Sequence, residues 1–272
     1  METKLTVIVE NNAADGLRGE WGLSILAEHK GKKILVDAGA SGLFLENLQK
    51  LGYHPSDIDF AVLSHAHYDH ANGLPGFLAE NPDAKVYIQE HTAENCYFKK
   101  FFIRKYIGIP KHMLADFAPR IETVSGDRML ADGIYLIAHK TAGLEAIGRR
   151  EMMYRKTPEG WRPDDFSHEQ SLVLDTDKGL IIINSCCHGG AGNILREVSE
   201  TFPGKHVCAI VGGLHLFNKT EAEIRGAARE LKQAGIDLVC TGHCTKDRAF
   251  RILKEELGES VLQFHTGLEI RF

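Results

Sequence analysis

The sequence has no run of apolar residues that approaches the roughly 20 needed for a membrane helix. Its first residues, Met1-Glu2-Thr3-Lys4, lead directly into a strand-like stretch without the basic and apolar segments of a secretory signal. Positive charge is not in excess, because 37 acidic residues outnumber 32 lysines and arginines and the formal net charge is -5. We therefore expect a cytoplasmic protein that acts on a small molecule, with neither a nucleic acid nor a membrane as partner.

Cysteine is present, but not in the dense pattern of a small disulfide-bonded protein. The chain has six cysteines in 272 residues, and several of them lie beside histidines. We expect free thiols, as in a reducing compartment, with some of them close to a metal. They are Cys96, Cys186, Cys187, Cys208, Cys240 and Cys244.

Strand-like and helix-like segments alternate along the chain, and no low-complexity linker divides it. The length suits one large α/β domain, which we place at residues 1–272. Two segments interrupt the alternation. Residues 99–120 mix cations, aromatics and proline without a clear period, which predicts an inserted cap. Residues 139–167 are rich in glycine, arginine and proline, which predicts an irregular lid loop.

Three histidines and an aspartate fall within six positions, directly after an apolar strand predicted at residues 60–63. They are His65, His67, Asp69 and His70. Imidazole nitrogens bind zinc, iron and manganese, and a carboxylate adds an oxygen ligand. His65 and His67 are two residues apart, so an extended backbone directs both side chains to one side. A metal site at the end of this strand is the strongest prediction from the sequence.

The spacing H-x-H-x-D-H is typical of the metallo-β-lactamase superfamily, and nearly the whole chain resembles one branch of it. The resemblance lies in residues 20–24, 35–39, 60–74, 168–173 and 212–216. The branch is named for 7,8-dihydropterin-6-methyl-4-(ribofuranosyl)-aminobenzene-5'-phosphate synthase. This resemblance implies an α/β fold of the αββα sandwich type, with two mixed sheets and helices on both outer faces. It also implies metal ligands at His65, His67, Asp69 and His70, and a last ligand at His243.

The middle of the superfamily pattern differs in this chain. Members of the superfamily usually have a histidine before a strand hairpin and a bridging aspartate after it. Here His168 precedes the hairpin, and no aspartate follows it. Cys186 lies nearest to the bridging position, where it is either a thiolate ligand or a small buried residue. His188 is the better candidate ligand, and His168 is either a ligand or a partner behind one.

This departure leaves open whether the site holds one ion or two. Zinc is the expected cofactor, with manganese and iron as alternatives, because histidine and carboxylate ligands accept all three metals. Asp37 ends a predicted strand, and we expect it to orient a ligand histidine or to cap the following helix.

Three features bear on what binds near the metal. Gly189 and Gly190 precede a predicted helix, where they form either an anion-binding turn or a plain tight turn. His215 follows a strand, as an acid/base group in the pocket or as a core histidine. The cap and the lid carry cations and aromatic residues. Together they favour a small anionic substrate with a ring, although the cap is equally compatible with a homodimer contact.

The resemblance implies a metal-dependent hydrolase, in which metal-activated hydroxide attacks an ester-type bond. Asp69 would hold the nucleophile and His215 would protonate the leaving group. One alternative is a transferase-like condensation of a pterin with an aminobenzene ribofuranosyl phosphate. Another is a non-catalytic metal-binding sensor.

Overall fold

The structure, a computed structural model, describes residues 2–272. Its strands, in chain order, are β1 (Lys4–Val9), β2 (Ser24–His29), β3 (Lys32–Val36), β4 (Phe60–Val62), β5 (Lys85–Gln89), β6 (Cys96–Lys100), β7 (Ile103–Tyr106), β8 (Ile121–Val124), β9 (Arg128–Ala131), β10 (Ile134–Ala138), β11 (Met153–Thr157), β12 (Gly160–Pro163), β13 (Gln170–Thr176), β14 (Gly179–Ile183), β15 (Val207–Val211), β16 (Leu238–Thr241), β17 (Val261–Gln263) and β18 (Glu269–Arg271). Its α-helices are α1 (Leu43–Lys50), α2 (Tyr68–Ala71), α3 (Leu74–Glu80), α4 (Met113–Asp116), α5 (Glu145–Arg150), α6 (Ala191–Thr201), α7 (Glu221–Gln233) and α8 (Lys246–Leu257). Within residues 2–272, every helix is too short or too polar to cross a membrane.

Two mixed sheets of seven strands form the centre of the fold. Their strand orders are β18-β1-β2-β3-β4-β5-β8 and β17-β16-β15-β14-β13-β10-β9. Strands β3, β4, β5 and β8 are parallel in the first sheet, and β14 to β17 are parallel in the second. Their inner faces share one buried apolar cluster that includes Val7, Ile25 and Val36 from the first sheet and Leu172, Ile183 and Val211 from the second. This shared layer of aliphatic side chains holds the two sheets together.

Helices cover the outer face of each sheet. Phe44 and Leu48 of α1, with Phe77 of α3, pack against the first sheet in a second buried cluster. A third cluster joins α6, α7 and α8 to the second sheet through residues such as Ile194, Ile224 and Leu253. The predicted αββα sandwich, with helices on both outer faces, is therefore confirmed.

The carboxyl ends of five of the parallel strands lead into candidate site residues. Asp37 follows β3, and the histidine cluster follows β4. In the second sheet, Cys186 and His188 come after β14, His215 after β15 and His243 after β16. Loops at the carboxyl ends of parallel strands form the usual ligand-binding edge of such sheets. The fold thus brings distant parts of the chain to one place.

The lid differs from the irregular loop expected from the sequence, because it contains regular elements that pair with the start of the cap. A four-stranded sheet with the order β12-β11-β6-β7 joins the start of the cap to the lid. The lid also contains α5. Aromatic side chains hold this small sheet together, because the Tyr97 ring lies 5.0 Å from that of Trp161, and Lys99 stacks over both Trp161 and Tyr154. The two segments therefore form one structured unit.

Candidate metal centre

The structure brings most of the predicted site residues into one buried cluster between the two sheets. Its members are His65, His67, Asp69, His70, Cys186, His188, His215 and His243. All of them are less than one tenth exposed. Such a dense group of buried polar side chains costs free energy unless hydrogen bonds or a ligand satisfy it.

One half of the cluster consists of three imidazoles. The ring centres of His65, His67 and His188 lie 4.7 to 4.8 Å apart. Burial lowers the pKa of all three histidines, to about 3 for His67, so each ring is neutral at pH 7. The Nε2 atoms of His65 and His67 and both ring nitrogens of His188 have no hydrogen-bond partner in the described chain. Buried nitrogens with free lone pairs that converge on one point fit a divalent metal ion.

The other half of the cluster is built around a carboxylate. The Asp69 Oδ2 atom lies 3.5 Å from His243 Nε2 and 3.8 Å from His70 Nε2. Burial alone would raise the pKa of Asp69, but His70 and His243 outweigh it and hold the pKa below its usual range. The Cys186 Sγ atom is 3.3 Å from His70 Nε2. This half therefore offers oxygen, nitrogen and sulfur ligands for a second ion.

Asp37 sets the orientation and the tautomer of two histidines of the cluster. One of its carboxylate oxygens accepts hydrogen bonds from His70 Nδ1 at 2.8 Å and from the Ser64 hydroxyl at 2.6 Å. Because Ser64 has donated its hydrogen to Asp37, its oxygen accepts from His65 Nδ1 at 2.9 Å. The Nε2 lone pairs of both histidines are thus directed into the cluster. Of the two expectations for Asp37, this geometry matches the partner that orients histidines of the cluster.

Removal of the Ser64 hydroxyl should weaken metal binding. In Ser64→Ala the His65 ring loses the acceptor that fixes its tautomer, and we expect metal affinity to fall by roughly 10–100-fold. Competition with a chromophoric chelator measures this loss. Ser171→Ala is the matched control, because the Ser171 hydroxyl is also buried but accepts from Asn184. Equal affinities in the wild type and Ser64→Ala would contradict the role of Ser64.

His168 lies beside the cluster, and both of its ring nitrogens are already used. Its Nδ1 accepts from the backbone N–H of Ala66 at 3.1 Å, and its Nε2 pairs with Asp164 Oδ2 at 3.2 Å. His168 is expected from the sequence to be either a metal ligand or a partner of one. The geometry matches the second expectation, because His168 holds the backbone between His65 and His67 through Ala66. One ring nitrogen of His168 also lies within 4.8 Å of potential ligand atoms of His67, Cys96 and Asp164.

The predicted anion-binding turn at Gly189 and Gly190 requires a correction. The Gly189 N–H donates to Glu169 Oε2 at 3.0 Å, and the Gly190 N–H donates to the Cys187 carbonyl at 2.9 Å. Neither amide is therefore free to bind an anion, and the alternative of a tight turn is correct. A Cβ atom on Gly189 would lie 2.3 Å from the His139 ring, so the glycine allows that ring to approach.

His215 faces the cluster and lies near an acidic partner that the sequence analysis did not identify. Its Nε2 is 3.8 Å from the carboxylate of Glu151, which also accepts from Asn218 and Lys219. Burial would lower the pKa of His215, but Cys244 and Glu151 outweigh it and raise the pKa to about 9. His215 therefore holds a proton at neutral pH. Glu151 lies within the predicted lid, where no motif marks it.

A pocket of about 330 Å³ opens onto the cluster. Its walls include the aromatic and apolar side chains of Trp21, Tyr68, Phe98, Ile107, Met153 and Phe217. Lys105 adds a cation, and His67, Asp69, Cys186, His188, His215, His243 and Cys244 form the metal-facing wall. The pocket thus combines apolar and aromatic walls with one cation and the candidate ligands.

Known proteins are similar to this chain in sequence and in fold. The sequence profile of the Metallo-beta-lactamase superfamily matches residues 21–243. The 7,8-dihydropterin-6-methyl-4-(beta-D-ribofuranosyl)-aminobenzene-5'-phosphate synthase of Methanocaldococcus jannaschii is 30% identical, over 92% of this chain and 90% of its own.

Two solved structures extend the comparison. One, described as a metal-dependent hydrolase of the beta-lactamase superfamily, has a TM-score of 0.85 and 26% identity, and the match covers 98% of each chain. The other is the metallo-beta-lactamase fold protein YhfI from Bacillus subtilis. It has a TM-score of 0.61 and 12% identity over 100% of both chains, which shows a common fold alone.

Proposed function

Because the chain belongs to the metallo-β-lactamase superfamily, we propose that it is a metal-dependent hydrolase of a small, anionic ester-type substrate. The observation that carries this proposal is the convergence of unpartnered imidazole nitrogens on one point beside a buried carboxylate. Hydrogen-bond networks that only stabilise a fold leave few buried nitrogens unpaired. A buried group of this kind, open to a pocket, is typical of a catalytic metal centre.

The two halves of the cluster would hold the ions. His65, His67 and His188 fit one ion, while Asp69, His70 and His243 with Cys186 fit a second. When bound, such ions lower the pKa of water and polarise a carbonyl or phosphoryl oxygen. The carboxylate of Asp69 balances their positive charge and orients the attacking oxygen. Zinc suits this mixture of nitrogen, oxygen and sulfur ligands, and manganese and iron are the alternatives.

His215 is the proposed proton donor. It faces the pocket and holds a proton at neutral pH, since its pKa is raised to about 9. The Glu151 carboxylate lies 3.8 Å away and stabilises the charged imidazole. An alcohol or phosphate that leaves the substrate requires a proton at this position. His215 therefore donates that proton, and Cys244 and Glu151 favour the charged form of the ring.

The pocket supports a small-molecule substrate. Its aromatic walls can stack against a ring, and Lys105 can pair with an anionic group. A volume of about 330 Å³ is at the lower end of the range for small-molecule sites. A macromolecular substrate such as a nucleic acid would require a longer, basic surface.

A condensation reaction is the second candidate, and the relative from Methanocaldococcus jannaschii favours it. Its name describes a synthase, and the match spans 92% of this chain. In such a reaction a pterin methyl diphosphate would lose its diphosphate, and the methylene carbon would form a bond to an aminobenzene ribofuranosyl phosphate with release of a proton. The same pocket could take the pterin ring, and the same ions could bind the diphosphate.

A turnover screen separates the two candidates. The chain is loaded with zinc, manganese or iron and incubated with phosphomonoesters, phosphodiesters, thioesters, lactones and a pterin diphosphate with its aminobenzene acceptor. We expect hydrolysis of one ester class, which His215→Asn should reduce by roughly 10²–10⁴-fold. Product that forms only when pterin and acceptor are both present would instead support the condensation. No turnover with metal bound would contradict both candidates and favour a sensing role.

A further inference from the structure

Two thiols meet beside the Asp69 half of the metal centre. The Sγ atoms of Cys186 and Cys244 lie 3.3 Å apart, and Cys186 Sγ lies 3.3 Å from His70 Nε2. Both cysteines are buried, and their sulfur atoms lie within 4.8 Å of a ring nitrogen of His243. Cys244 directly follows His243 in the chain, yet the sequence analysis gave it no role in the site.

The backbone conformation around Cys244 directs its sulfur atom toward Cys186 and the cluster. His243 has a left-handed φ of 49°, and the Thr245 N–H closes the turn onto the Gly242 carbonyl at 2.8 Å. Across the site, a Cβ atom on Gly213 would come within 2.4 Å of Cys244 Sγ. Glycine at this position therefore leaves the space that the sulfur atom occupies. A left-handed backbone at a non-glycine residue is costly and is typical of functional sites.

Other buried cysteines of the chain have different surroundings. The Cys208 thiol donates to the Leu180 carbonyl at 3.3 Å, and that of Cys187 donates to the Asn184 carbonyl at 3.7 Å. These contacts are those of small packing residues with a weak donor. Cys244 Sγ also lies 3.8 Å from the Cys186 carbonyl, but Cys186 and Cys244 differ because each sulfur in addition faces the other sulfur and the imidazoles of the cluster. Two sulfur atoms among unpaired ring nitrogens form the donor set of a thiophilic metal.

We propose that Cys244 is a metal ligand and that it binds the ion on the Asp69 side as a thiolate, together with Cys186 and His243. This inference rests on the proposed metal centre and adds a ligand that follows the last histidine of the motif. Each thiol would lose a proton to solvent when the ion binds. Soft thiolates favour zinc or iron(II) over manganese, so this half of the centre selects against manganese.

X-ray absorption at the zinc edge tests the proposal on the full chain, reduced and loaded with zinc. Zinc–sulfur distances are about 2.3 Å and zinc–nitrogen distances about 2.0–2.1 Å, so the two shells are separable. We expect a sulfur shell in the wild type that falls by half in Cys244→Ala and by half in Cys186→Ala. Cys208→Ala is the matched control and should keep the full shell, because its sulfur donates to the Leu180 carbonyl of strand β14 and belongs to the apolar cluster between the sheets.

Cys244→Ser is a second variant that keeps the size of the side chain if the alanine variant is unstable. It should lose the same half of the sulfur shell. A sulfur shell of unchanged amplitude in both Cys244 variants would overturn the proposal, as would a wild-type spectrum with no sulfur. The absorption spectrum does not depend on turnover. A sulfur shell without hydrolysis would therefore support Cys244 as a ligand and count against the proposed hydrolase.

Discussion

Asp69→Asn should lose nearly all turnover while the protein remains folded. Asp69 is the only carboxylate within 4 Å of both His70 and His243 in the described chain. An amide has the same shape but no negative charge, so it neither balances the ions nor accepts hydrogen bonds as strongly. Substitution of a residue that only hydrogen-bonds to a metal ligand costs roughly 10–100-fold in activity. We expect kcat/KM to fall by more than this in Asp69→Asn, because Asp69 is itself a proposed ligand. Steady-state kinetics on the ester class identified by the screen measure this loss.

Metal content should fall together with activity. His65, His67 and His188 form a group of potential ligands of their own, within 4.8 Å of one another, so we expect them to retain their ion while the second is lost. Mass spectrometry under native conditions counts the ions in each variant. Asp237→Asn is the matched control, because this exposed carboxylate also pairs with an imidazole, that of His206 at 2.7 Å. Turnover within twofold of wild type in Asp69→Asn would contradict the proposed centre.

The metal motif could be predicted because it is local in sequence. His65, His67, Asp69 and His70 lie within one strand end and its turn, so spacing alone indicates that they share a site. The strand predicted at residues 60–63 and the helix predicted after Gly190 are likewise present, as β4 and α6. The hairpin of β13 and β14 also follows its β-branched pattern.

Long-range contacts and stacking interactions could not be read from the sequence. In the four-stranded sheet β12-β11-β6-β7, strand β6 pairs with β11, although the two are more than forty residues apart in the sequence. Aromatic and cationic side chains hold this sheet together. The Glu169 carboxylate accepts hydrogen bonds from the backbone amides of His188 and Gly189, and only the fold brings these groups together. Cys244 is adjacent to a predicted ligand in the sequence, but a single cysteine does not by itself indicate a metal ligand. Only the fold shows that its sulfur lies beside that of Cys186.

His139→Ala should be the most destabilising substitution outside the apolar core. The His139 ring lies between two buried carboxylates, with Nδ1 at 2.9 Å from Glu197 and Nε2 in contact with Glu169. Burial would lower the pKa of His139, but the two glutamates outweigh it and raise the pKa to about 10. The ring is therefore a buried cation, and its loss leaves two buried carboxylates without their cationic partner. We expect the free energy of unfolding to fall by about 3–5 kcal/mol, as measured by urea titration.

The pH dependence distinguishes this charge effect from a simple cavity. The raised pKa of His139 stabilises the fold fully below its unfolded value of 6.5, and that stabilisation is lost as the pH rises through about 10. The lowered pKa of Glu197 stabilises it above the unfolded value of 4.5, and that contribution is lost as the pH falls through about 2.

The deficit of His139→Ala should accordingly be largest between about pH 4.5 and 6.5 and should shrink below that window, where the two carboxylates take up protons. A cavity would lower the free energy of unfolding by the same amount at every pH. That result would contradict the charged contacts of His139 with Glu169 and Glu197. His206→Ala is the matched control, because its pairing with Asp237 is at the surface, where an ion pair contributes about 0–1 kcal/mol. Since Glu169 also binds the amides of His188 and Gly189, the same variant should loosen the turn that places His188 among the metal ligands.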